Sequence, residues 1–230
     1  MKELPSEVSK NDSNLIHEIL SQQLSLGSLQ NLSATVISCR YILKNKIEGD
    51  FVECGVWRGG QSIVAAKILD EGMYRNYWLY DTFCGMTPPT DLDVDYLGRK
   101  AKNKAGKQDD VIENDWVYAE KHQIIDNIKK FGFDVSKFRL IVGDVIDTLR
   151  DLDNLPKKIS LLRLDTDWYE STKVELDVLY NLIVPKGILI IDDYGHWKGA
   201  RKAVDEFFEK RFAPLLIPVD YTCRIMIKAE

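Results

Sequence analysis

Two acidic motifs, each at the end of an apolar run, constrain the fold of this chain more than any other feature. The run Ile159–Leu162 leads into Arg163–Asp167 (RLDTD), and the run Gly187–Ile191 leads into Asp192-Asp193, with a helical pattern between them. A strand, a crossover helix and a second parallel strand place both motifs at one edge of one sheet, where ligands of open α/β sheets bind. Converging carboxylates repel one another unless a cation lies among them, which predicts a site for a hard divalent metal.

From Asp50 onward the chain alternates between strand and helix patterns. The predicted strands are Phe51–Gly55, Tyr77–Asp81, Phe138–Val142, Ile159–Leu164 and Gly187–Ile191, and the predicted helices are Gln61–Leu69, Trp116–Phe131, Glu170–Leu182 and Lys198–Arg211. Two further strands, Leu215–Pro218 and Tyr221–Lys228, are separated by two residues, which favours a hairpin and therefore an antiparallel last strand. The pattern predicts a single Rossmann-like α/β domain over residues 46–230, with a mostly parallel seven-stranded sheet and an antiparallel C-terminal hairpin strand.

A helical extension is predicted over residues 1–45, ahead of this domain. Apolar residues recur at helical spacing from Leu15 to Leu24 and again from Leu29 to Leu43, whereas residues 1–12 are polar and are expected to fray. The extension is compatible with three roles: covering a cofactor, shaping an acceptor site, or forming the contact of a homo-oligomer.

Composition limits the classes of partner. A chain of 230 residues with a net charge of −5 lacks the concentrated cations that nucleic-acid binding needs. The densest basic stretch, Arg99–Lys107, is flanked by aspartates and is interpreted as a solvated loop. No stretch has the length and hydropathy of a signal peptide or a membrane span, so we expect a soluble, cytoplasmic protein with no membrane partner. The four cysteines have no paired spacing and are expected to be reduced thiols.

Three strand ends are candidates for a nucleoside-binding cleft. Gly55 and Gly59 follow the first strand and let the backbone approach a ligand closely, although their spacing is not GxGxxG and a tight turn alone would also explain them. Asp81 ends the second strand, where an acid accepts hydrogen bonds from ribose hydroxyls, or caps a helix. Asp144 follows the third strand, where a carboxylate can accept from an adenine amino group, or can lie in a surface turn.

Four segments together resemble the macrocin O-methyltransferase (TylF/MycF-type) family. These are 51–60 (FVECGVWRGG), 81–86 (DTFCGM), 163–172 (RLDTDWYEST) and 191–195 (IDDYG). The resemblance implies a class I fold that binds S-adenosylmethionine, a divalent metal that is usually Mg²⁺, and methylation of sugar hydroxyls on small natural products.

The same resemblance implies roles for particular residues. Glu53, Gly55 and Gly59 would line the methionine part of the cofactor, Asp81 its ribose and Asp144 its adenine. The neighbouring residues Trp57, Ser62 and Thr82 complete the predicted cofactor-binding set.

Asp165, Asp192 and Asp193 match the metal ligands of the family. A metal held there would lower the pKa of a sugar hydroxyl and align it for attack on the methyl group. Asp165 is the first choice for the group that takes the proton, with His196 and Asp167 as alternatives. Asp167 could equally cap the following helix, and His196 could have a structural role.

Two departures from the family pattern leave the acceptor open. Asp147–Arg150 reads Asp-Thr-Leu-Arg where the family commonly has Asp-Thr-Leu-Pro, and the long polar loop Cys84–Asp110, where acceptor contacts are expected, matches poorly. Three other hypotheses remain: a glycosyltransferase that uses Asp165-Thr166-Asp167 as a DxD motif, a nicotinamide-dependent oxidoreductase, and an inactive cofactor-binding module.

Overall fold

The computed structural model describes residues 4–101 and 117–229. The helices are α1 (Lys10–Ser21), α2 (Leu29–Lys44), α3 (Gly60–Leu69), α4 (Lys121–Lys130), α5 (Val145–Thr148), α6 (Tyr169–Leu179) and α7 (Lys198–Glu209). The strands are β1 (Asp50–Cys54), β2 (Tyr77–Asp81), β3 (Phe138–Val142), β4 (Ile159–Leu164), β5 (Ile183–Ile191), β6 (Ile217–Pro218) and β7 (Arg224–Ile227). Short 3₁₀ turns at Val135–Lys137, Leu152–Asn154 and Tyr180–Leu182 join some of these elements.

The seven strands form one sheet in the order β3-β2-β1-β4-β5-β7-β6. The first five strands are parallel, and β7 is antiparallel to both β5 and β6. The predicted fold is therefore confirmed. The strand order reverses between β1 and β4, and the crevice outside their carboxyl ends is where open α/β sheets bind ligands.

Helices cover β4 and the second half of β5, which explains why these two segments are almost entirely apolar. All six residues of β4 are buried, and so are the last five residues of β5. A parallel strand that is buried on both faces reads as a continuous apolar run rather than as an alternating one. Arg163, near the end of β4, is the charged exception.

The two N-terminal helices pack into the same hydrophobic core as the sheet. Ile16 of α1 and Leu32 of α2 lie in one buried cluster with Phe51 of β1 and Ile63 of α3. The prediction that the first twelve residues fray is wrong for the end of that segment, because α1 begins at Lys10. Asp12 is buried there and pairs with Arg40 at 2.6 Å.

Other element boundaries differ modestly from the predictions. Helix α4 begins at Lys121, five residues later than predicted, and Trp116 lies outside the described residues. Strand β5 begins at Ile183, so residues 183–186 extend it toward the helix before it. Within the described ranges, no helix combines the length and hydropathy needed to cross a membrane.

The described part of the predicted long loop, residues 84–101, packs over the starts of α6 and α7. The Trp168 indole N–H donates to the carbonyl of Thr87 at 2.8 Å. Asp93 is fully buried and accepts the backbone N–H of Tyr169 at 2.8 Å, which satisfies an amide at the start of α6. The rest of the loop, up to Asp110, lies outside the described residues.

Candidate active site

The ends of β1, β4 and β5 lie in register, so the two acidic motifs meet at one edge of the sheet. The N–H of Asp165 donates to the carbonyl of Cys54 at 2.8 Å, and the N–H of Asp192 donates to the carbonyl of Leu164 at 2.9 Å. The parallel ladder thus continues one residue beyond each strand. The first acid after β4 therefore lies beside the first acid after β5, as predicted.

Gly55 is required by a contact between main chains. Its φ is +81°, and a Cβ atom at this position would lie 1.9 Å from the backbone oxygen of Asp165. Trp57, two residues further along the same turn, also has a positive φ of +48°. The glycine therefore lets the β1–α3 turn rest directly on the end of β4, whatever ligand binds there.

Asp81 holds the same turn with its carboxylate. One oxygen accepts the backbone N–H groups of Val56 at 2.7 Å and Trp57 at 3.1 Å, and the other accepts the N–H of Phe83 at 2.8 Å. Asp81 also lines the cavity described below, where its predicted ribose-binding role stays a prediction. The neighbouring Thr82 donates its hydroxyl to the carbonyl of Gly85 at 2.5 Å.

Glu53 and Ser62 form a buried hydrogen-bonded pair beneath the turn. The Ser62 hydroxyl donates to the Glu53 carboxylate, and both residues are almost inaccessible to solvent. Burial raises the pKa of Glu53 to about 7, although the nearby Arg163 guanidinium opposes that rise. Glu53 lines the cavity, whereas Ser62 lies behind it and supports Glu53.

A cavity of about 470 Å³ opens at this edge of the sheet. It extends from the β1–α3 turn, past the acidic motifs, to the segment before α2 and the β6–β7 hairpin. Its lining residues include Leu24, Ser28, Asn31, Glu53, Gly55, Trp57, Asp81, Asp165, Asp167, Asp192, Asp193, His196, Asp220 and Tyr221.

A smaller cavity of about 50 Å³ lies on the other side of Gly55, toward β3. Asp144 lines it together with Asp81 and Thr82, which groups the predicted ribose and adenine contacts with one further residue of the predicted cofactor-binding set. Asp144 also caps α5, because its carboxylate accepts the N–H of Ile146 at 2.9 Å. The cap and the predicted adenine contact are compatible, since a carboxylate can accept several hydrogen bonds.

Three carboxylates converge in the larger cavity. One oxygen each of Asp165, Asp167 and Asp193 lie within 4.8 Å of one another. Asp167 adopts a left-handed conformation with φ of +69°, and its N–H donates to the Asp193 carboxylate at 3.1 Å. We call these three residues the carboxylate group. The predicted ligand Asp192 lies beside this group, and its role as a ligand stays a prediction.

The electrostatics of the carboxylate group favour a bound cation. Burial, reinforced by the neighbouring acids, raises the pKa of Asp167 to about 8 and raises the pKa values of Asp165 and Asp193 well above their usual range. The Asp165 side chain is 30% exposed, so water in the cavity offsets part of the rise in the pKa of Asp165. A cation in the cavity would stabilise the charged forms and reverse these shifts.

Arg163 lies beneath the site and pairs with the acids around it. Its register partner on β1 is Glu53, whose carboxylate lies 3.6 Å from the Arg163 Nε. The Arg163 Nη2 contacts Asp192 at 2.7 Å and Asp165 at 3.0 Å. Burial alone would lower the pKa of Arg163. The three carboxylates raise this pKa by more than burial lowers it, so the guanidinium stays charged.

Arg163 and Asn31 are functional candidates that sequence reasoning did not select. A charged residue inside an apolar strand was the available signal for Arg163. Nothing in the sequence around Asn31 indicates a role, because its contacts with Arg163 and Asp192 join residues 132 and 161 positions apart.

His196 lies at the mouth of the cavity among aromatic rings. Its Nδ1 is 3.0 Å from the Tyr221 hydroxyl, and its ring packs 5.7 Å from the Tyr96 ring, centroid to centroid. His196 lines the same cavity as the carboxylate group, and its role as an alternative proton acceptor stays a prediction. The structure also packs His196 against Tyr96 and Tyr221, and the sequence did not predict these contacts.

A sheet in this order, with a cavity at the β1/β4 switch point, defines the class I, Rossmann-like methyltransferase fold. The O-methyltransferase NovP has this fold, with a TM-score of 0.74 over 90% of this chain and 83% of NovP, at 24% identity. The methyltransferase PaMTH1 from Podospora anserina, solved with S-adenosylhomocysteine bound, has a TM-score of 0.58 over 97% of this chain and 89% of that one, at 15% identity.

Within that class, the chain belongs to the macrocin O-methyltransferase (TylF) family, whose sequence profile matches residues 25–227. A related enzyme from Streptomyces olivaceus is 32% identical over 174 residues, or 74% of this chain. It is named as a 4'-O-methyltransferase of 8-demethyl-8-(2,3-dimethoxy-alpha-L-rhamnosyl)-tetracenomycin C, and the match spans 61% of its length.

Proposed function

We propose that this chain transfers a methyl group from S-adenosylmethionine to a hydroxyl group of a small sugar-containing acceptor, assisted by a divalent cation. The observation that carries the proposal is the carboxylate group of Asp165, Asp167 and Asp193, which faces the same cavity as the β1–α3 turn. Membership of the TylF family supports the type of reaction, and the name of the Streptomyces olivaceus relative supports a sugar hydroxyl as the acceptor.

The residues around Gly55 fit the proposed cofactor. Gly55 leaves the wall of the cavity without a side chain, and Asp81 and Asp144 place oxygen acceptors in the adjoining smaller cavity. The buried indole N–H of Trp57 has no hydrogen-bond partner among the described residues, so it can donate to a ligand. We assign Glu53, Gly55 and Trp57, which line the larger cavity, to the methionine end of the cofactor. Gly59 precedes α3 with a φ of +84° and lines neither cavity, so its contact with the cofactor stays a prediction.

The carboxylate group fits a hard divalent ion such as Mg²⁺. All of its donors are oxygens, and waters would complete the coordination of a small cation that is held by two or three carboxylates. Asp165 and Asp193 belong both to the predicted ligand set and to the carboxylate group. We propose them as ligands together with Asp192 or Asp167, and the geometry favours Asp167.

The residues of this chain would orient the acceptor and take its proton. When bound, S-adenosylmethionine supplies the electrophilic methyl group and the cation lowers the pKa of the acceptor hydroxyl. Asp165 is held at 3.0 Å by Arg163 and faces the cavity, where it would accept the proton of the attacking hydroxyl. Asp167 and His196 are the alternative acceptors for that proton.

The proposal is tested by a mass-spectrometric screen of the purified protein with S-adenosylmethionine and Mg²⁺. The acceptor panel contains nucleotide sugars, glycosylated natural products and surface-polysaccharide sugars. The expected result is a product one methyl group heavier, lost with excess chelator and restored by added Mg²⁺. Turnover that is unchanged by excess chelator would refute the role of the cation, and methylation of no acceptor would count against the activity.

Family membership argues against the glycosyltransferase and oxidoreductase hypotheses. Calorimetry separates them directly, because we expect S-adenosylhomocysteine to bind, whereas nucleotide sugars without a methylation site and NAD(P)H should not. A protein that binds S-adenosylhomocysteine yet methylates nothing in the screen would be the inactive module. The predictions of cytoplasmic location, of no nucleic-acid partner and of a homo-oligomer stay predictions.

A further inference from the structure

The first turn of α2 reaches the acidic edge of the sheet through a buried asparagine. The Asn31 side-chain amide donates from Nδ2 to one carboxylate oxygen of Asp192. Its oxygen accepts from Gln61 Nε2 at 2.6 Å and from Arg163 Nη2 at 3.3 Å. The reverse orientation of the amide would set oxygen against oxygen and N–H against N–H, so these partners fix it.

The network continues away from the site into the helix layer. The Thr35 hydroxyl, one helical turn after Asn31, donates to Gln61 Oε1 at 2.7 Å. Thr35, Gln61 and Asn31 are all buried, so water does not compete for these hydrogen bonds. Helices α2 and α3 therefore hold the Asn31 amide from behind while it holds Asp192.

A second connection joins the start of α2 to the backbone of Asp192. The Ser28 hydroxyl, which caps α2, donates to Asp220 at 2.5 Å, and Asp220 accepts the N–H of Thr222 at 3.0 Å. The Thr222 hydroxyl in turn donates to the backbone carbonyl of Asp192 at 2.6 Å. Both the main chain and the side chain of Asp192 are therefore tied to α2.

These contacts divide the Asp192 carboxylate between two donors. One oxygen is held by Asn31 and the other by Arg163 at 2.7 Å. Without the Asn31 donor, one oxygen of Asp192 would lose its partner, and the carboxylate could rotate about the Arg163 guanidinium, which also contacts Asp165 at 3.0 Å. Such a rotation would disturb the carboxylate group in which Asp165 takes part.

We infer that Asn31 is a positioning residue that orients Asp192, so that helix α2 forms part of the ion-binding site. The inference rests on the proposed function, because it concerns the cation proposed above. Asp192 shares the Arg163 guanidinium with Asp165, a proposed ligand, so its orientation affects the site whether or not Asp192 binds the ion itself. Residues that orient metal-binding carboxylates typically change metal affinity by about 10- to 100-fold when they are removed.

The test measures ion binding directly, without an acceptor. Mn²⁺ binding is followed by electron paramagnetic resonance for the wild-type chain and for Asn31→Leu, which keeps a similar volume and loses the amide. We expect Mn²⁺ affinity to fall by about 10- to 100-fold in this variant. Calorimetry should show little change in S-adenosylhomocysteine affinity, because the Asn31 side chain bonds to Asp192, Arg163 and Gln61 and to none of the residues assigned to the cofactor.

Ser33→Ala is the matched control on the same helix. Ser33 is buried like Asn31, but its hydroxyl donates to the carbonyl of Leu29 at 2.7 Å and does not contact the site. Its Mn²⁺ affinity should equal that of the wild type. If Asn31→Leu does not fold, Asn31→Ser replaces it, since serine is too short to reach Asp192 and leaves room for water.

A double-mutant comparison distinguishes positioning from general damage. If Asn31 acts through Asp192, then Asn31→Leu should not weaken Mn²⁺ binding further in an Asp192→Ala background. Unchanged Mn²⁺ affinity in a folded Asn31 variant, or additive losses in the double variant, would overturn this inference and leave the proposed function intact. Failure of the wild-type chain to bind Mn²⁺ would overturn both the cation and the role of Asn31.

Discussion

The acidic edge of the sheet contains two regions that differ in whether their carboxylates form ion pairs with a basic side chain. Glu53 and Asp192 share the buried guanidinium of Arg163, at 3.6 and 2.7 Å. Asp167 and Asp193 converge a few ångströms away, and within the described parts of the chain no lysine or arginine forms an ion pair with them. Asp165 belongs to both regions, because it contacts Arg163 and joins the carboxylate group.

The difference separates carboxylates that pair with a buried guanidinium from carboxylates that converge on the cavity without a basic partner among the described residues. A buried carboxylate with a cation partner is fixed in place, and removal of that partner is strongly destabilising. Carboxylates that converge on a cavity without a partner are costly unless a cation enters from outside. Glu175 provides a third case, because it is fully buried, has no cation, and one of its oxygens has no hydrogen-bond partner among the described residues.

The largest expected effect is at Asp193, in the region that is not paired with Arg163. Asp193→Asn keeps the shape of the side chain and removes one charge from the carboxylate group. We expect the rate of methyl transfer, measured as kcat/KM, to fall by about 10³-fold, because preorganised charges at the reacting centre contribute on that scale. Asp205→Asn, an exposed aspartate that pairs with Arg201 at 3.5 Å, is the control and should leave the rate unchanged. A loss of less than tenfold in Asp193→Asn would contradict the assignment.

The next largest effect is a loss of stability at Arg163, which pairs with buried carboxylates. Arg163→Met leaves Glu53 and Asp192 buried without their cation, and we expect the free energy of unfolding to fall by about 3–5 kcal/mol. Arg75→Met is the matched control, because Arg75 is equally buried but donates to neutral groups, including the carbonyl of Ile47 at 2.6 Å. Urea unfolding of both variants measures the difference. Equal losses would show that the charge of the partners does not matter.

A smaller, pH-dependent effect is expected at Glu175. Burial raises its pKa to about 8 in the folded chain, so the folded state keeps a proton that the unfolded chain releases near the usual value of 4.5. The free energy of unfolding should therefore decrease as pH rises from about 4.5 to about 8. Glu53 and Asp167 also have raised pKa values and contribute to the same dependence, so Glu175→Gln removes only the Glu175 share of it. We expect this variant to be more stable than the wild type by up to about 5 kcal/mol at high pH and nearly equal to it at low pH.

The control for that titration lies on the same helix. Asp177 is exposed and pairs with Lys173 at 3.2 Å, so Asp177→Asn should shift stability by about 0.5 kcal/mol or less at either end of the pH range. Urea unfolding at several pH values gives both profiles. A stability gain in Glu175→Gln that does not change with pH would show that Glu175 is not protonated in the folded state.

The smallest effect is expected at His196. If a carboxylate takes the acceptor proton, His196→Gln should lower kcat by less than about tenfold, which is below the roughly 10²- to 10⁴-fold that a general base contributes. Tyr221→Phe removes the hydroxyl that lies 3.0 Å from His196 Nδ1 and should change kcat less still. A loss in His196→Gln as large as that in Asp193→Asn would transfer the role of proton acceptor to the histidine.

The parts of the site that sequence reasoning predicted are those encoded by neighbouring residues. An apolar run followed by an acid marks the end of a buried parallel strand, and this pattern located Asp81, Asp144, Asp165 and Asp193 at one sheet edge. The limits of β2, β3 and β4 were predicted for the same reason, since the apolar runs coincide with the strands.

The parts that were missed depend on contacts between distant segments. Asn31 meets Asp192 only because α2 packs over α3, and Tyr221 meets His196 only because the β6–β7 hairpin folds back beside β5. Asp167 joined the carboxylate group through a left-handed backbone conformation that a non-glycine residue rarely adopts. Local patterns carry no signal for any of these, because each is decided by tertiary packing.

The contact between Gly55 and the carbonyl of Asp165 has a consequence for how relatives of this chain diverge. Two main chains touch there without an intervening side chain, so the spacing between the β1–α3 turn and the end of β4 is fixed by backbone contact. The outer walls of the cavity also carry the exposed side chains of Leu26 and Tyr221, which can change without altering that contact. Under the proposed function, different acceptors can therefore be accommodated by these exposed side chains while the spacing between the β1–α3 turn and the acidic edge is kept.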